Sequence, residues 1–459
     1  MTEHRPTSDA PPPLEPVKVP LATQPLGVFG SLAAGRRNIL ELIPKIATHA
    51  PILSGRTGKR WHMVMDPAAL RRILRENVEN YPKSVVTKLI LEPAIGDSLF
   101  VAEGQEWLWQ RRTAAPVFSH RNVAALAPVM SAAAERASAR ISGGAGRAVN
   151  CYDEMVTATF EVISDVTFSD GEGFDRASVH RAIEDYMAQT ARVSLLDIIG
   201  APAWVPRPGR MLSGAAMRQM KRIADGSIQR RRADGNSGVP DLLDLLMAGE
   251  DPKSGRKMTT PELRDNLLTF IVAGHETTAL TLSWALYLCA FDPAVQAAAR
   301  QEAQATIGDR AATAADIAAL PPIRRIVDET LRLYPPAAFL LRTAQSADTL
   351  CGRDVRRGDT IILPIYALHR HHALWDHPNR FDPSRFANPK PVDRYAYLPF
   401  GDGPRVCIGA NFALQEAVII LATLLARFRF DLVPGKDPNP VMILTLRPQG
   451  GVWLTITPA

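Results

Sequence analysis

The stretch that most constrains this chain is F-G-D-G-P-R-V-C-I-G, from Phe400 to Gly409, with the apolar segment that follows it to Phe428. Two glycines and a proline precede Cys407, so the chain must bend tightly just before it. Beyond Ala410, apolar residues recur at helical spacing: Phe412, Leu414, Val418, Ile419, Leu421, Leu425 and Phe428. Cys407 is therefore expected at or just before a helix N-terminus. Free N–H groups and the positive end of the helix dipole there stabilise a thiolate and lower its pKa. Gly409 and Ala410 are small enough for close approach by something flat. A lone cysteine in this setting suits a nucleophile, a redox sensor or a metal ligand.

The chain has 459 residues, 46% of them hydrophobic, enough for a large buried core. Its four cysteines are far apart and form no C-x-x-C pair, which indicates neither a zinc site nor a disulfide framework and fits a reducing cytoplasm. The net charge of +6 is modest, and no Lys/Arg run is interleaved with aromatics, so no nucleic-acid face is expected. Residues 1–27 are proline-rich and polar, with no apolar signal core or membrane anchor; a flexible lead-in is expected there. Residues 28–459 are expected to form one unit. The apolar run 267–291 has His275, Glu276, Thr277 and Thr278 at its centre, costly positions in lipid, and reads as a buried helix.

The coarse pattern is mainly α with smaller β-sheets, an α+β chain. A hairpin is predicted over 51–65, a short helix over 68–76, irregular chain over 81–105 and a helix over 107–114. Amphipathic helices follow to about residue 250. Thr259, Pro261 and Glu262 open a long helix that runs to Phe291. Another helix is predicted over 322–334, then short strands over 339–343, 349–355 and 360–363. A final hairpin is predicted, 442–446 with 452–456, folding about 448–451.

Four motifs fall in one order along the chain. Trp107 and Arg111 form W-x-x-x-R. Ala273-Gly274-His275-Glu276-Thr277-Thr278 fits A-G-x-[D/E]-T-T. Glu329 and Arg332 form E-x-x-R, followed by P-x-R-F at residues 383–386. The opening stretch fits F-x-x-G-x-R-x-C-x-G at Phe400, Gly403, Arg405, Cys407 and Gly409. On these motifs the chain, over roughly residues 50–459, resembles the cytochrome P-450 family of haem-thiolate monooxygenases, in its soluble bacterial form.

The resemblance implies haem b, with Cys407 as the axial iron ligand and Phe400 packed against its sulfur. Gly403 would permit the turn, and Ala273, Gly274 and Gly409 would lie against the cofactor. Trp107 and Arg111 would hold one propionate, Arg342 and Arg405 the other; the arginine fork suits carboxylates. Thr277 would hydrogen-bond dioxygen and Glu276 would relay protons. Glu329, Arg332 and Arg385 would form a buried ion network, and His275 would be structural. Arg112 is a candidate contact for an acidic redox partner. Residues 85–99 and 182–220, with Phe270, Ala273, 337–340 and Met442, Ile443 and Leu444, would line an apolar substrate pocket; Lys83 and Lys88 are the candidate carboxylate anchors.

The implied activity is insertion of one atom of O2 into a hydrophobic small molecule such as a fatty acid or terpenoid. Electrons would come from NAD(P)H through a separate ferredoxin and ferredoxin reductase, or a flavodoxin, to a cytoplasmic monomer. A peroxide-driven peroxygenase or a haem-thiolate isomerase keeps the fold, but such relatives tend to lose the acid–threonine pair. A non-catalytic haem sensor is the third reading; the intact Glu276–Thr277 pair argues against it.

Overall fold

The computed structural model describes residues 15–24, 26–168, 214–235, 240–387 and 392–459. The expected pocket helices over 182–220 lie mostly outside the described residues.

Among the described residues, nine of the longer helices and eleven strands build the frame of the site. Strands β1 (Ile52–Thr57) and β2 (Lys59–Val64) come first, then helices α1 (Val85–Ile95), α2 (Gly104–Ala114) and α3 (Ala127–Ser142). Next are β3 (Ala148–Asn150), α4 (Cys151–Phe168), α5 (Gly214–Asp234), α6 (Thr260–Phe291), α7 (Pro293–Ile307) and α8 (Pro321–Leu333). The chain continues with β4 (Leu340–Thr343), β5 (Asp348–Leu350), β6 (Arg353–Val355) and β7 (Thr360–Leu363). It ends with α9 (Ala410–Arg427), β8 (Phe428–Leu432), β9 (Asn439–Met442), β10 (Leu446–Gln449) and β11 (Trp453–Pro458).

Helix α6 is the axis. A reciprocal capping box between Thr259 and Glu262 starts it, and it runs 32 residues to Asp292. Asp292 then accepts from the backbone N–H groups of Ala294 and Val295 and so starts α7. Helix α6 packs against α4, α5, α8 and α9, and is buried on nearly every face. That explains why its sequence lacks a polar stripe. Gly274 lets α4 come close: a Cβ there would lie 3.3 Å from the Cδ1 of Ile163. Helix α9 is apolar and long enough to span a membrane by composition, yet 72% of it is buried inside the molecule, as befits a core helix.

The sheet beside the site has the order β1-β2-β7-β4. The first hairpin turns at Gly58, whose φ of 72° favours glycine. Strand β2 runs parallel to β7, and β4 antiparallel to it with Arg342 opposite Ile361.

Three expectations are corrected. Residues 85–95, within the stretch expected to be irregular, form α1; Ser84 caps it by accepting from the Val86 N–H, and Pro93 falls in its last turn. The β-branched start and the proline conceal the helix. The expected lead-in is packed where it is described: Val17 and Val19 bond through their N–H groups to the hydroxyls of Tyr287 and Tyr366, and Val19 is buried. The final hairpin is differently built. Strand β9 pairs with β10, Met442 opposite Leu446, so the tip is residues 443–445. Strand β11 instead joins β8 and β3 in another sheet. Gly450 and Gly451, both at a φ of 86°, mark the passage between two sheets.

Candidate active site

The cysteine loop is shaped by local chemistry. A turn over Gly403–Arg405 brings the Cys407 N–H back to the Phe400 carbonyl at 2.9 Å. Gly403 has a φ of 72°, and a Cβ there would lie 1.9 Å from the Leu74 carbonyl oxygen. Backbone conformation and space thus both require glycine. Gly409 caps α9, and its N–H donates to the Cys407 sulfur.

Cys407 opens onto an internal cavity of about 1610 Å³. The expected lowering of its pKa does not hold in these surroundings. Burial raises the thiol, against the Gly409 N–H and the charges of Arg111 and Lys83. Desolvation of a thiolate outweighs one amide and a helix end. The sulfur therefore needs a strongly positive partner to be held ionised.

The cavity brings together most of the residues picked from the sequence. Ala273, Gly274, Glu276 and Thr277 of α6 line it with Trp107, Arg111, Arg342, Phe400, Arg405, Cys407 and Gly409. Much of the rest is apolar: Val86, Leu91, Ile95 and Leu99 on one side, Phe270 on α6, Ala337 and Phe339, and the hairpin tip with Met442, Ile443 and Leu444.

One wall is basic. Arg111, Arg342 and Arg405 are joined there by Lys83, which pairs with Arg342 in an isolated β-bridge. Burial, then Arg405 and Arg342, pull the Lys83 ammonium down to about 7. Burial, then Arg405, lower Arg342 to about 10, and burial also lowers Arg111. Arg111 and Arg342 have no carboxylate partner among the described residues. The Arg405 guanidinium lies over the Trp107 ring at 4.0 Å and is ion-paired to Glu103, which the sequence reading missed. Four cations facing one apolar cavity call for an anionic guest with two or more acidic groups. The two carboxylates of a haem fit that demand, and Cys407 lines the same cavity.

On α6, the Thr277 hydroxyl donates to the Ala273 carbonyl at 2.8 Å, a bond that leaves the helix continuous. Glu276 is buried and ion-paired to Arg447 on β10. Burial holds its carboxyl above the usual range, opposed by Arg447. Another buried carboxyl, Glu416 on α9, is bonded by Thr278 and is raised well above its ordinary value by burial. Neither Arg447 nor Glu416 belongs to a motif, so nothing local could have marked them. His275 is buried, with Nδ1 2.8 Å from the Ile271 carbonyl, in keeping with a structural role.

Beneath the loop, Arg332 and Glu329 are fully buried and paired through two bonds of 2.6 and 2.7 Å, with Arg385 3.4 Å from Glu329. Arg112 is not free for a partner protein: it grips Asp251 with bonds of 2.6 and 2.8 Å. Lys83 belongs to the basic wall, and Lys88 does not line the cavity.

Comparison with known proteins agrees with this architecture. The sequence profile described as Cytochrome P450 matches residues 20–455. Cyclooctat-9-en-7-ol 5-monooxygenase from Streptomyces melanosporofaciens is 31% identical over 440 residues, 94% of this chain and 93% of that one. Cyclooctatin synthase from the same organism is 30% identical over 90% of both chains. A Cytokinin hydroxylase of Arabidopsis thaliana is 29% identical over 91% of this chain and 84% of its own. The crystal structure of the cytochrome P450DA heme domain superposes with a TM-score of 0.79 at 27% identity, over 89% of this chain and 90% of that one. Both the match over nearly the whole sequence and the shared fold make this chain a member of the cytochrome P450 family.

Proposed function

We propose that this P450 monooxygenase inserts one atom of O2 into a neutral, terpenoid-like small molecule, with electrons from NAD(P)H through a separate ferredoxin and its reductase, or a flavodoxin. The observation that carries this reading is a single apolar cavity lined by both Cys407 and the Glu276–Thr277 pair of α6. Haem b is the assigned cofactor: Cys407 would ligate its iron, and Lys83, Arg111, Arg342 and Arg405, with Trp107, would hold its propionates. When bound, it supplies the redox chemistry that activates dioxygen, and thiolate ligation favours O–O cleavage.

The chain's own groups do the rest. Apolar walls bind and orient the substrate and exclude water. The Thr277 hydroxyl donates its proton to the Ala273 carbonyl, so its oxygen is free to act as an acceptor at the cavity it lines. The Glu276 carboxyl, set above its usual range, is suited to take up and pass on a proton near neutral pH. Its partner Arg447 is 24% exposed, so the pair runs from the surface inward.

The name of the relative Cyclooctat-9-en-7-ol 5-monooxygenase supports a neutral substrate. A fatty acid is the second reading, favoured by exposed Arg56 and Lys59 at the outer end of the cavity. We assign a cytoplasmic monomer. The test has two arms. The reduced, carbon-monoxide-bound protein should show a Soret band shifted far to the red, and Cys407→Ala should lose it; an unchanged band in that variant overturns the ligand assignment. Terpenoids should then give substrate-induced spin-state shifts at lower concentration than fatty acids of equal size, the reverse order supporting the carboxylate. Efficient turnover with peroxide, and none with any ferredoxin, would overturn the electron route.

A further inference from the structure

Glu103 does something that no motif assigns to it. It occupies the N-cap of α2, with extended backbone, but its carboxylate does not cap the helix. The side chain turns the other way. One oxygen accepts from the Lys83 backbone N–H at 3.1 Å, and the other is ion-paired with Arg405. Arg405 is fixed on two further sides, by the Ala102 carbonyl at 2.8 Å and by the Trp107 ring. Lys83, Arg111, Arg342 and Arg405 all line the cavity, whereas Glu103 stands behind Arg405 and does not. Its side chain is 24% exposed and that of Arg405 only 10%.

We propose that Glu103 is a built-in counter-charge to the basic wall: it offsets part of the positive field that holds the cofactor's two carboxylates, and so sets how tightly the haem is retained. The inference rests on haem binding at this wall. The basic groups of the wall, Arg342 buried and Lys83, Arg111 and Arg405 half-buried, repel one another, and Glu103 lowers that repulsion in the protein before haem arrives. The same negative charge then weakens the attraction for two further carboxylates. Removing it costs the haem-free form more than the haem-loaded form, in which two further carboxylates already balance part of the wall.

Glu103→Gln removes the charge and keeps the shape, its one amide oxygen still able to accept from Arg405 or from the Lys83 N–H, though not from both at once. The measurement is the rate at which haem leaves the loaded enzyme for excess apomyoglobin. At the effective dielectric of a partly exposed site, release from Glu103→Gln should be about three- to tenfold slower than from the parent. The midpoint potential should also move positive, since a negative charge near the cofactor has gone. Glu103→Asp keeps the charge and should release haem no more slowly than the parent. Unchanged or faster release from Glu103→Gln overturns the proposal, as does equal slowing in Glu103→Asp. General damage to the fold accelerates release and so cannot imitate the expected result. A parent protein that takes up no haem would overturn the haem assignment; a loaded parent with an indifferent Glu103→Gln overturns only the role of Glu103.

Discussion

Replacing Arg332 by lysine keeps the charge of the buried pair and removes its geometry. Arg332 is fully buried and donates five hydrogen bonds: two to Glu329 and one each to the carbonyls of His369, Pro378 and Arg380. A lysine ammonium has three protons, so at least two of those five acceptors lose their donor. Each buried acceptor left unpaired costs about 1–3 kcal/mol, which gives a loss of about 2–6 kcal/mol for the variant. With a urea m-value of about 3 kcal/mol/M, the unfolding midpoint should fall by roughly 0.7–2 M. The assay is urea unfolding of the loaded protein, followed in parallel by far-UV circular dichroism and by Soret absorbance to test that one transition is being read. The three carbonyls belong to the segment leading to the cysteine loop, so haem loss should accompany unfolding. A fall of less than about 1 kcal/mol, the worth of an exposed ion pair, would refute the reasoning. It would mean that charge alone holds the segment and that the guanidinium fork is dispensable.

Other changes have equally definite outcomes. Gly403→Ala places a Cβ 1.9 Å from the Leu74 carbonyl at a φ of 72°, and should sharply cut the haem absorbance per mole of purified protein. Glu276→Gln should slow coupled turnover by about ten- to a hundredfold while the substrate-induced spin shift is retained; loss of both would point to a structural role. Arg447→Ala leaves the Glu276 carboxyl without its opposing cation and should raise its pKa further, moving the alkaline limb of coupled turnover to higher pH. Burial acts to raise Asp348, but hydrogen bonds from Arg72, Tyr81 and Asn77 win and hold it near 2. Its folded pKa lies below its unfolded one, so its stabilising contribution is complete above about pH 4 and is lost as pH falls toward 2. Asp348→Asn should flatten that part of the acid-unfolding curve.

Much of this was legible because it is local. The turn before Cys407, the start of α9 and the capping box of α6 each depend on residues within a few positions of one another. The buried Glu329–Arg332 pair was readable for the same reason, its members being one helical turn apart. What escaped has partners far along the chain. Glu103 meets Arg405 across 302 residues, and Glu276 meets Arg447 from the far end of the fold. Helix α1 was hidden differently, since Val85, Val86, Thr87 and Pro93 argue against a helix and tertiary packing overrides them. The thiol of Cys407 shows a third kind of failure. The helix end was read correctly, but the burial that outweighs it is a property of the assembled interior.

The misread final hairpin matters most, because register decides what a strand presents to each side. With the turn at 448–451, Arg447 would sit next to a turn at the outer end of a hairpin, with no reason to meet α6. With β9 paired to β10, Arg447 lies opposite Val441, two residues past the tip that lines the cavity. One short hairpin thereby carries Met442, Ile443 and Leu444 against the apolar space and the cation against Glu276. The apolar lining and the counter-ion of the buried acid thus sit on one hairpin, a placement that neither the helix motif nor the apolar run contains by itself.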